Sequence, residues 1–431
     1  MKEKLNRDFI INLSNKKGEP SWMTEFRLNS YEAFLKIENP TFGPKLDFSF
    51  DDLLYYKKTE EQKKNWQDVK KETYHTFCKL GVVDAEKKYL DGVSNQMESE
   101  VVYHHNITDK DIIFCSTDEA LRKYPKLFKK YFNTLVKYDE NKYTALNGAV
   151  WSGGSFIYIP PNTKLDRPLQ SYFRIDTESL GQFERTIIIV DDNSELSYIE
   201  GCTAKSYSKS SLHAGVVEIF VGKNAKCRYS TIQNWSTDVY NLVTKRAIVD
   251  ESGLMEWVDG NIGSKVTMKY PSVILKGDYS CGNCISIAYA KEGQVLDAGA
   301  KMIHLGAHTK SNIVNKSIAS FGGVSNYRGT TRIASSAKNS RASIKCDTIL
   351  LDNISKSDTF PKNIVENETS TLEHEASVSK VSAEKLFYLE SKGLSEERAK
   401  ELFIMGFIED FKKELPMEYA VELNRLLKEE L

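Results

Sequence analysis

The sequence has little of what marks a secreted, membrane-spanning or nucleic-acid-binding protein. Seven cysteines, an odd number at irregular spacing, argue against a disulfide framework. With 59 basic and 60 acidic residues, the formal net charge is −1, so no nucleic-acid or membrane surface is indicated. No apolar run reaches the roughly 18 residues that span a bilayer, and residues 1–8 lack a signal-peptide core. We therefore expect a cytoplasmic protein, or a protein of a plastid-type stroma if the gene is organellar.

Sequence signals of catalysis are also scarce. A Gly-x4-Gly-Lys-Ser/Thr loop is missing, so we expect no ATP hydrolysis by this chain itself. No nucleophile with an evident base is present. A polysaccharide-acting enzyme would use a dense cluster of Asp and Glu residues, and the sequence offers none. We predict a non-enzymatic protein whose 431 residues, 40% of them hydrophobic, form more than one domain.

Three regions differ in their patterns. Residues 1–142 are predicted to be a mixed, largely helical region, with helices near 22–35 and 118–135. Residues 143–365 show strand-like alternation, as in 185–190 and 216–221, and are predicted to be a β-helix core. Residues 366–431 are predicted to be a C-terminal helical domain, with helices near 383–389, after Ser395 and after Pro416.

Turn-forming segments punctuate the strand-rich region at regular intervals. They begin at residues 191, 222, 250, 277, 306 and 335, at intervals of 27 to 31 residues. Short strands with this period and no intervening helices predict a right-handed parallel β-helix, in which each coil covers its neighbours. An antiparallel sandwich with long meanders is the alternative. A solenoid exposes its end coils, so we expect a partner chain or a second copy to cover them.

A possible metal-binding group lies near the end of this region. Cys346 closes a strand-like run, and Glu373, His374 and Glu375 follow after one further β segment. Thiolate, imidazole and carboxylate are the side chains that bind iron or zinc. Cys346 as a buried strand cysteine, and His374 as a structural partner of its glutamates, remain the plain alternatives.

Several long stretches together resemble the SufB branch of the SufB/SufD family, the scaffold subunits of the SUF iron–sulfur cluster assembly machinery. The resemblance covers about residue 80 to the end, and more loosely residues 18–23. It is carried by residues 90–92, 98–103, 149–158, 229–235, 268–272, 301–304, 325–329 and 414–422. It implies a scaffold that receives sulfur and iron, builds a nascent cluster and passes it to acceptor proteins. A SufD-like structural subunit without its own cluster site is the alternative.

The resemblance also implies roles for single residues. Cys346, His374, Glu373 and Glu375 correspond to the site of the nascent cluster, with Cys346, His374 and Glu375 as its metal ligands. Cys202 corresponds to the cysteine that accepts sulfur, although a core cysteine is the alternative. An internal path for sulfur between the two cysteines corresponds to Arg174, Gln233, Trp235 and Lys245.

Partners and cargo follow from the same resemblance. The C-terminal helices are expected to bind a SufC-type ATPase, and the β-helix to pair with SufD or a second SufB. A cysteine desulfurase, SufS with SufE or SufU, is the expected sulfur donor. The cargo is a transient [2Fe–2S] or [4Fe–4S] cluster, and reduced flavin is a further candidate component of the complex.

Some positions depart from the family pattern. Asp176 stands where an asparagine is common on the internal path, and Lys205 where many relatives have proline. We expect the Asp176 carboxylate to repel an anionic sulfur species. Cys281 and Cys284 form a C-x-x-C pair without a second pair at zinc-site spacing, so we favour a structural role and keep a redox or metal role as the alternative.

Overall fold

A computed structural model of the protein describes residues 4–106, 111–381 and 383–414. Its α-helices are α1 Arg7–Lys16, α2 Ser21–Lys36, α3 Lys71–Lys79, α4 Val82–Tyr89, α5 Thr117–Lys123, α6 Pro125–Tyr131, α7 Lys142–Val150, α8 Ala383–Ser391, α9 Glu396–Phe407 and α10 Glu409–Glu414. Short 3-10 turns lie at Phe50–Asp52 and Trp66–Asp68.

The strands are β1 Gly92–Met97, β2 Glu100–Asn106, β3 Ile113–Ser116, β4 Ser155–Ile159, β5 Leu169–Ile175, β6 Gly181–Gln182, β7 Arg185–Val190, β8 Glu195–Ala204, β9 Ser211–His213, β10 Val216–Val221, β11 Lys226–Trp235, β12 Val239–Val249, β13 Leu254–Gly263, β14 Val266–Lys269, β15 Ser272–Leu275, β16 Cys281–Ala290, β17 Val295–Ala298, β18 Lys301–His304, β19 Lys310–Ala319, β20 Val324–Ile333, β21 Arg341–Leu350, β22 Thr359–Val365 and β23 Thr371–Lys380.

Successive coils of the chain stack their strands in parallel, which makes a β-solenoid. In the described residues, one sheet has the order β2-β1-β5-β8-β11-β13-β16-β19-β21-β23, and the other joins the intervening strands. Strand β11 pairs in parallel with both β8 and β13, in register along its length. The predicted solenoid is thus confirmed, and the antiparallel sandwich is wrong for this chain.

Residues with left-handed backbone mark the corners of the coils. The φ angle is 58° at Asn193, 52° at Asn224 and 55° at Ser252. Asparagine adopts this region more readily than most side chains. Tyr279 and His308 also have positive φ, and their rings stack with centroids 4.8 Å apart. All five residues lie within the turns that the sequence predicted.

Apolar and aromatic side chains fill much of the interior of the solenoid. Along the first sheet, Tyr198, Tyr229 and Trp257 lie next to one another with ring centroids 4.9 and 5.0 Å apart and ring planes tilted by 53° and 57°. They are almost fully buried. Because each coil covers the last, the alternation of every strand decides which side chains enter this interior.

The N-terminal region covers the first coils. Strand β2 pairs antiparallel with β1, and β3 pairs antiparallel with β4. Residues 142–150, most of which the strand-rich pattern included, instead form helix α7, capped by the Asn141 side chain. Helix α7 is buried almost all round, so its sequence lacks the amphipathic period that reveals a helix.

The described C-terminal helices begin after β23. Ser395 caps α9 by accepting from the Arg398 N–H, as its position predicted. Ile404, Ile408 and Phe411 pack on the outer face of the solenoid. The helix expected after Pro416 lies outside the described residues. Strands continue to Lys380, and the division of the chain at residues 142 and 365 stays a prediction.

Candidate functional site

Cys346 lies on the inner face of the next-to-last strand of the first sheet. Alternation along β21 buries Ala342, Ile344 and Cys346 and turns Lys345 outward. Cys346 is 3% exposed, and its register partners are Asn315 on β19 and a residue of β23. The thiol therefore faces the interior close to the last coil.

His374 shares this face with Cys346, but the glutamates on either side of it do not. Ile344 is the register partner of His374, so its side chain lies diagonally next to Cys346. Asn363 Nδ2 lies 3.3 Å from His374 Nδ1, and Nε2 is buried without a described partner. Alternation turns Glu373 and Glu375 to the outer face, where both are exposed.

The four residues of the predicted cluster site are therefore split between two faces of the sheet. Glu375 lies 4.0 Å from the outward Lys345. Within the described ranges, no three His, Cys, Asp or Glu side chains come close enough together to hold a metal ion. A cluster at Cys346 would need further ligands from another molecule.

The thiol of Cys346 has a raised pKa. Burial is the main cause and Asp347 adds to it, while a hydrogen bond with Tyr327 lowers the pKa; the net value is about 12. Tyr327 reaches across from β20 in the second sheet and is itself buried. The isolated chain thus holds Cys346 as a neutral thiol at neutral pH.

Cys202 lies on the inner face of β8 beside a buried ion pair. Its thiol donates to Oε1 of Glu200 at 3.7 Å, and Lys245 Nζ lies 3.0 Å from the same oxygen. The Tyr229 hydroxyl donates to the other oxygen of Glu200. Burial, followed by the negative charge of Glu200, raises the pKa of Cys202 well above its ordinary value.

Glu200 remains a carboxylate in spite of its burial. Burial alone would raise the pKa of Glu200, but Lys245 and the hydrogen bonds to Glu200 outweigh it and lower that pKa. Burial would lower the pKa of Lys245, but Glu200 together with Asp259 outweighs it and raises that pKa. The thiol of Cys202 therefore has an ionised acceptor beside it.

A second set of polar side chains continues from this pair through the interior. Gln233 is the register partner of Cys202, and its Oε1 accepts from Lys269 Nζ at 3.0 Å and from Asn241 at 2.8 Å. Lys269 also pairs with Asp259 at 2.8 Å. Two of the predicted path residues, Gln233 and Lys245, thus belong to this polar interior.

Trp235 and Arg174 have different surroundings. Trp235 packs against the His213 ring with centroids 4.6 Å apart, and its Nε1 is buried without a described partner. Arg174 is the register partner of Thr203, so it lies on the face opposite Cys202. There it pairs with Asp176 at 2.7 Å. The carboxylate of Asp176 is thus held by a cation on the outer side of the sheet.

The structure adds a row of polar residues that sequence reasoning missed. These residues are register partners in successive strands and share the inner face of the first sheet. The row reads Glu200, Thr231, Asp259, Ser286, Asn315 and Cys346. Five strand spacings separate its ends, a distance of about 24 Å. Polar residues recurring roughly once per coil were the available signal.

Several polar atoms in this row and in the neighbouring inner-face row of Cys202 have no partner in the described residues. They are Thr231 Oγ1, Gln233 Nε2, Asp259 Oδ1 and Asn261 Oδ1, and all are buried. Each unsatisfied group costs about 1–3 kcal/mol. We expect water or another polar molecule inside the solenoid to form the missing hydrogen bonds.

The remaining cysteines and histidines form no second metal-binding group in the described part of the chain. Cys284 faces the interior while Cys281 faces outward, so the C-x-x-C pair does not converge. All seven cysteines are free. His304 is buried between Thr309 Oγ1 and Ser311 Oγ, each at 2.8 Å.

Comparisons with known proteins identify the family. Residues 173–407 match the SufBD core domain of the SUF system for FeS cluster assembly, and residues 15–171 match the SufBD N-terminal region. Iron–sulfur cluster assembly SufBD family proteins of Staphylococcus saprophyticus and Staphylococcus aureus are each 56% identical over 432 residues. The matches cover 99% of this chain and 93% of each relative.

In the part of the chain that the structure describes, no helix is both long enough and apolar enough to cross a membrane. With both of its halves matched and more than half of its residues shared with these relatives, the chain belongs to the SufBD family of iron–sulfur cluster assembly proteins.

Proposed function

We propose that this chain is a SufB-type scaffold on which a nascent iron–sulfur cluster is built as cargo. The observation that carries the proposal is the inner-face row that joins the surroundings of Cys202 to Cys346. A structural subunit has no need of a polar row with unpaired buried atoms between two cysteines. ATP hydrolysis belongs to a partner, and this chain supplies the path and the site.

Sulfur enters at Cys202. A persulfide on the donor, a cysteine desulfurase such as SufS with SufE or SufU, presents its outer sulfur to this thiol. A bond forms between the Cys202 sulfur and that outer sulfur, the donor's S–S bond breaks, and the donor leaves as a thiol. Glu200, 3.7 Å from the thiol, is positioned to take the proton and return it to the leaving sulfur.

The interior then favours movement of an anionic sulfur species. Lys245 and Lys269 are buried cations that face the path, although each has a carboxylate beside it. The Thr231 hydroxyl and the Gln233 amide nitrogen, both buried without a partner in the described residues, can donate hydrogen bonds to it along the way. Arg174 lies on the opposite face of the sheet, where its ion pair holds the Asp176 carboxylate away from the path.

The cluster is built at Cys346 and His374. The Cys346 thiolate and the imidazole would bind iron, sulfide would bridge the iron ions, and either a [2Fe–2S] or a [4Fe–4S] product suits this donor pair. The remaining ligands come from a partner across the last coil. Glu373 and Glu375 face outward beside that coil, where they can meet iron or a partner's ligand. Reduced flavin is the electron source we propose for the complex.

Two surfaces fit the expected partners. Within the described residues no strand pairs with the outer edge of β23 or of β22, so SufD or a second SufB can add its own strands there. On the C-terminal helices, Phe387 is 70% and Tyr388 60% exposed. We propose that this apolar surface binds a SufC-type ATPase, whose cycle would strain the last coil.

A SufD-like structural subunit is the second candidate. It is favoured by the split of the predicted ligands between two faces and by the missing third ligand near Cys346 in the described chain. In that case the two cysteines are packing residues and the inner row is hydrated.

Anaerobic reconstitution with ferrous iron and sulfide tests the proposal. The chain is purified with its ATPase partner, and visible absorption and Mössbauer spectra report the cluster. We expect a signal in wild type that is lost in Cys346→Ser and reduced in His374→Ala and Glu375→Ala. Cys284→Ser is the matched control, because Cys284 is equally buried in the same core cluster.

The outcomes separate the two candidates. A signal that survives Cys346→Ser but not Cys284→Ser would move the cluster to another part of the interior. A complex that assembles normally and yields no cluster in wild type would favour the structural subunit.

A further inference from the structure

A cavity of about 480 Å³ lies on the outer face of the second sheet, away from the interior path. Residues 37–42 close it from above, and strands β12, β15 and β18 form its floor. Its volume falls within the roughly 300–1,000 Å³ of small-molecule sites. Lys245 belongs to the same stretch of β12, but its ammonium points to the opposite side, toward Glu200.

The floor carries two cations in one row. Arg246 is the register partner of Ser272, and Ser272 is the register partner of Lys301. Neighbouring strands lie about 4.8 Å apart, so the serine sits between the two cations. A hydroxyl flanked by cations is a donor set for the charged oxygens of an anion.

The two cations differ in how they are neutralised. Arg246 is fully engaged: its guanidinium forms two hydrogen bonds with Glu140, at 2.7 and 2.8 Å, and a third with the Leu135 carbonyl. Lys301 is half-buried, and no carboxylate in the described ranges forms an ion pair with it. Its ammonium lies 5.6 Å from the centre of the Tyr270 ring.

This environment suits a bound negative charge. Burial, followed by the positive charge of Arg246, lowers the pKa of Lys301, and Glu140 offsets only part of that change. Only the Tyr270 ring and the charge of Glu140, which is already bound to Arg246, offset the burial of this ammonium, so an anion in the cavity would stabilise it further.

The walls combine acidic and amide side chains with tyrosine rings that are fixed in place. The Tyr143 hydroxyl donates to Asn39 at 2.9 Å, and the Tyr270 hydroxyl donates to Asp297 at 2.7 Å. Because both hydroxyls are engaged, the rings present their apolar faces and edges, with Met268 completing the wall. Planar or apolar groups pack well against such a lining.

We propose that this cavity is a binding site for a small anion with a planar apolar body, such as an aromatic carboxylate, sulfonate or phosphate. The acidic group binds Lys301 and Ser272, and the body lies between the two tyrosine rings and Met268. The site is independent of the cluster chemistry proposed above, and its test needs no cluster.

Paired fluorescent probes test this proposal. The anionic probe is 8-anilinonaphthalene-1-sulfonate, and its neutral counterpart is N-phenyl-1-naphthylamine, which lacks the sulfonate. In the full-length chain we expect Lys301→Met to weaken binding of the anionic probe about tenfold and to change binding of the neutral probe less than about twofold. Lys301→Arg should keep most of the affinity, and it tests charge if the methionine variant folds poorly.

A surface lysine provides the control. Lys276 follows β15 in the same sheet and lies 3.5 Å from Asp250 with an exposed side chain. Lys276→Met should leave both probes unchanged. The proposal is overturned if Lys301→Met binds the anionic probe as wild type does. It is equally overturned if both probes weaken together, because the lysine would then only support the shape of the cavity.

Discussion

The two cysteine regions of the solenoid interior are built in contrasting ways. Around Cys202, acidic, basic and hydroxyl groups meet in full burial, with Lys245 and Glu200 each about 1% exposed. Around Cys346, the last coil leaves its strand edges unpaired in the described residues, and Glu373 and Glu375 face outward. One region is enclosed by the chain itself, while the other ends, in the described residues, at strand edges without a neighbour.

The N-terminal end shows that an open end is not a necessity of the fold. There β2 and β3 cover the first coils by antiparallel pairing. A strand edge without such a cover is a site for pairing with another chain. The difference therefore points to the Cys346 end as the place of assembly.

Breaking the ion pair near Cys202 should give the largest effect. Lys245→Met leaves Glu200 as a buried charge without its cation and should lower the free energy of unfolding by about 3–5 kcal/mol. Urea denaturation of the chain measures it. Glu200→Gln combined with Lys245→Met should recover much of the loss, because the uncompensated charge is gone.

Removing the exposed ion pair at the Cys346 end should hardly change the free energy of unfolding. Lys345 and Glu375 are 51% and 71% exposed at 4.0 Å. Lys345→Met should change the free energy of unfolding by less than about 0.5 kcal/mol. Equal losses in Lys345→Met and Lys245→Met would contradict the comparison.

Hydrogen exchange should separate the two regions next. Amides of residues 371–380 should exchange about tenfold or more faster than those of residues 226–235, because β23 has a neighbour on one side and β11 on both. Mass spectrometry on dilute chain measures this rate. Protection of residues 371–380 should rise when SufD or a second SufB is added, and equal protection in the isolated chain would show that the edge is already covered.

How far the sequence predicts these regions depends on the kind of pattern. The corners were readable because asparagine and small residues recur at the positive-φ positions, as at Asn193 and Asn224. Helix α7 could not be predicted from the sequence, because a helix buried on nearly every side shows no polar face. The coil interval varies between 27 and 31 residues, so the inner row needs the strand register before its members line up.

The residues of the predicted cluster site show a second limit of prediction from the sequence. Neighbouring positions in a strand point to opposite faces, so Glu373-His374-Glu375 cannot act from one side of a sheet. The sequence contains that alternation, and a prediction that assigns all three residues to one site ignores it. Arg174 follows the same rule, since Phe173 and not Arg174 is the register partner of Cys202.

A histidine near Cys202 should give a smaller, pH-dependent effect. His213 lies 2.7 Å from Glu184. Burial would lower its pKa, but Glu184, with help from Asn241 and Glu200, outweighs burial and raises the pKa above the ordinary 6.5. The stabilisation is therefore fully present below pH 6.5 and is lost as pH rises through the raised pKa.

Denaturation at a series of pH values tests this assignment. Between pH 6.5 and 9, wild type should lose more stability than His213→Gln, whose glutamine does not titrate. His374→Gln, at the open end, serves as the comparison variant. Parallel curves for wild type and His213→Gln would show that His213 stays uncharged.

The smallest effect concerns the thiol at the open end. A hydrogen bond with Tyr327 lowers the pKa of Cys346 from the higher value that burial alone would give, leaving it at about 12. Tyr327→Phe should therefore raise this pKa further and slow alkylation of Cys346 severalfold at any pH below 12, since the thiolate is the reacting form. Iodoacetamide labelling followed by mass spectrometry measures the rate. Cys284, in the same core cluster, is the internal reference for access. If both thiols react faster in the variant, loosened packing and not the lost hydrogen bond governs the rate, and Tyr327 has no part in tuning Cys346.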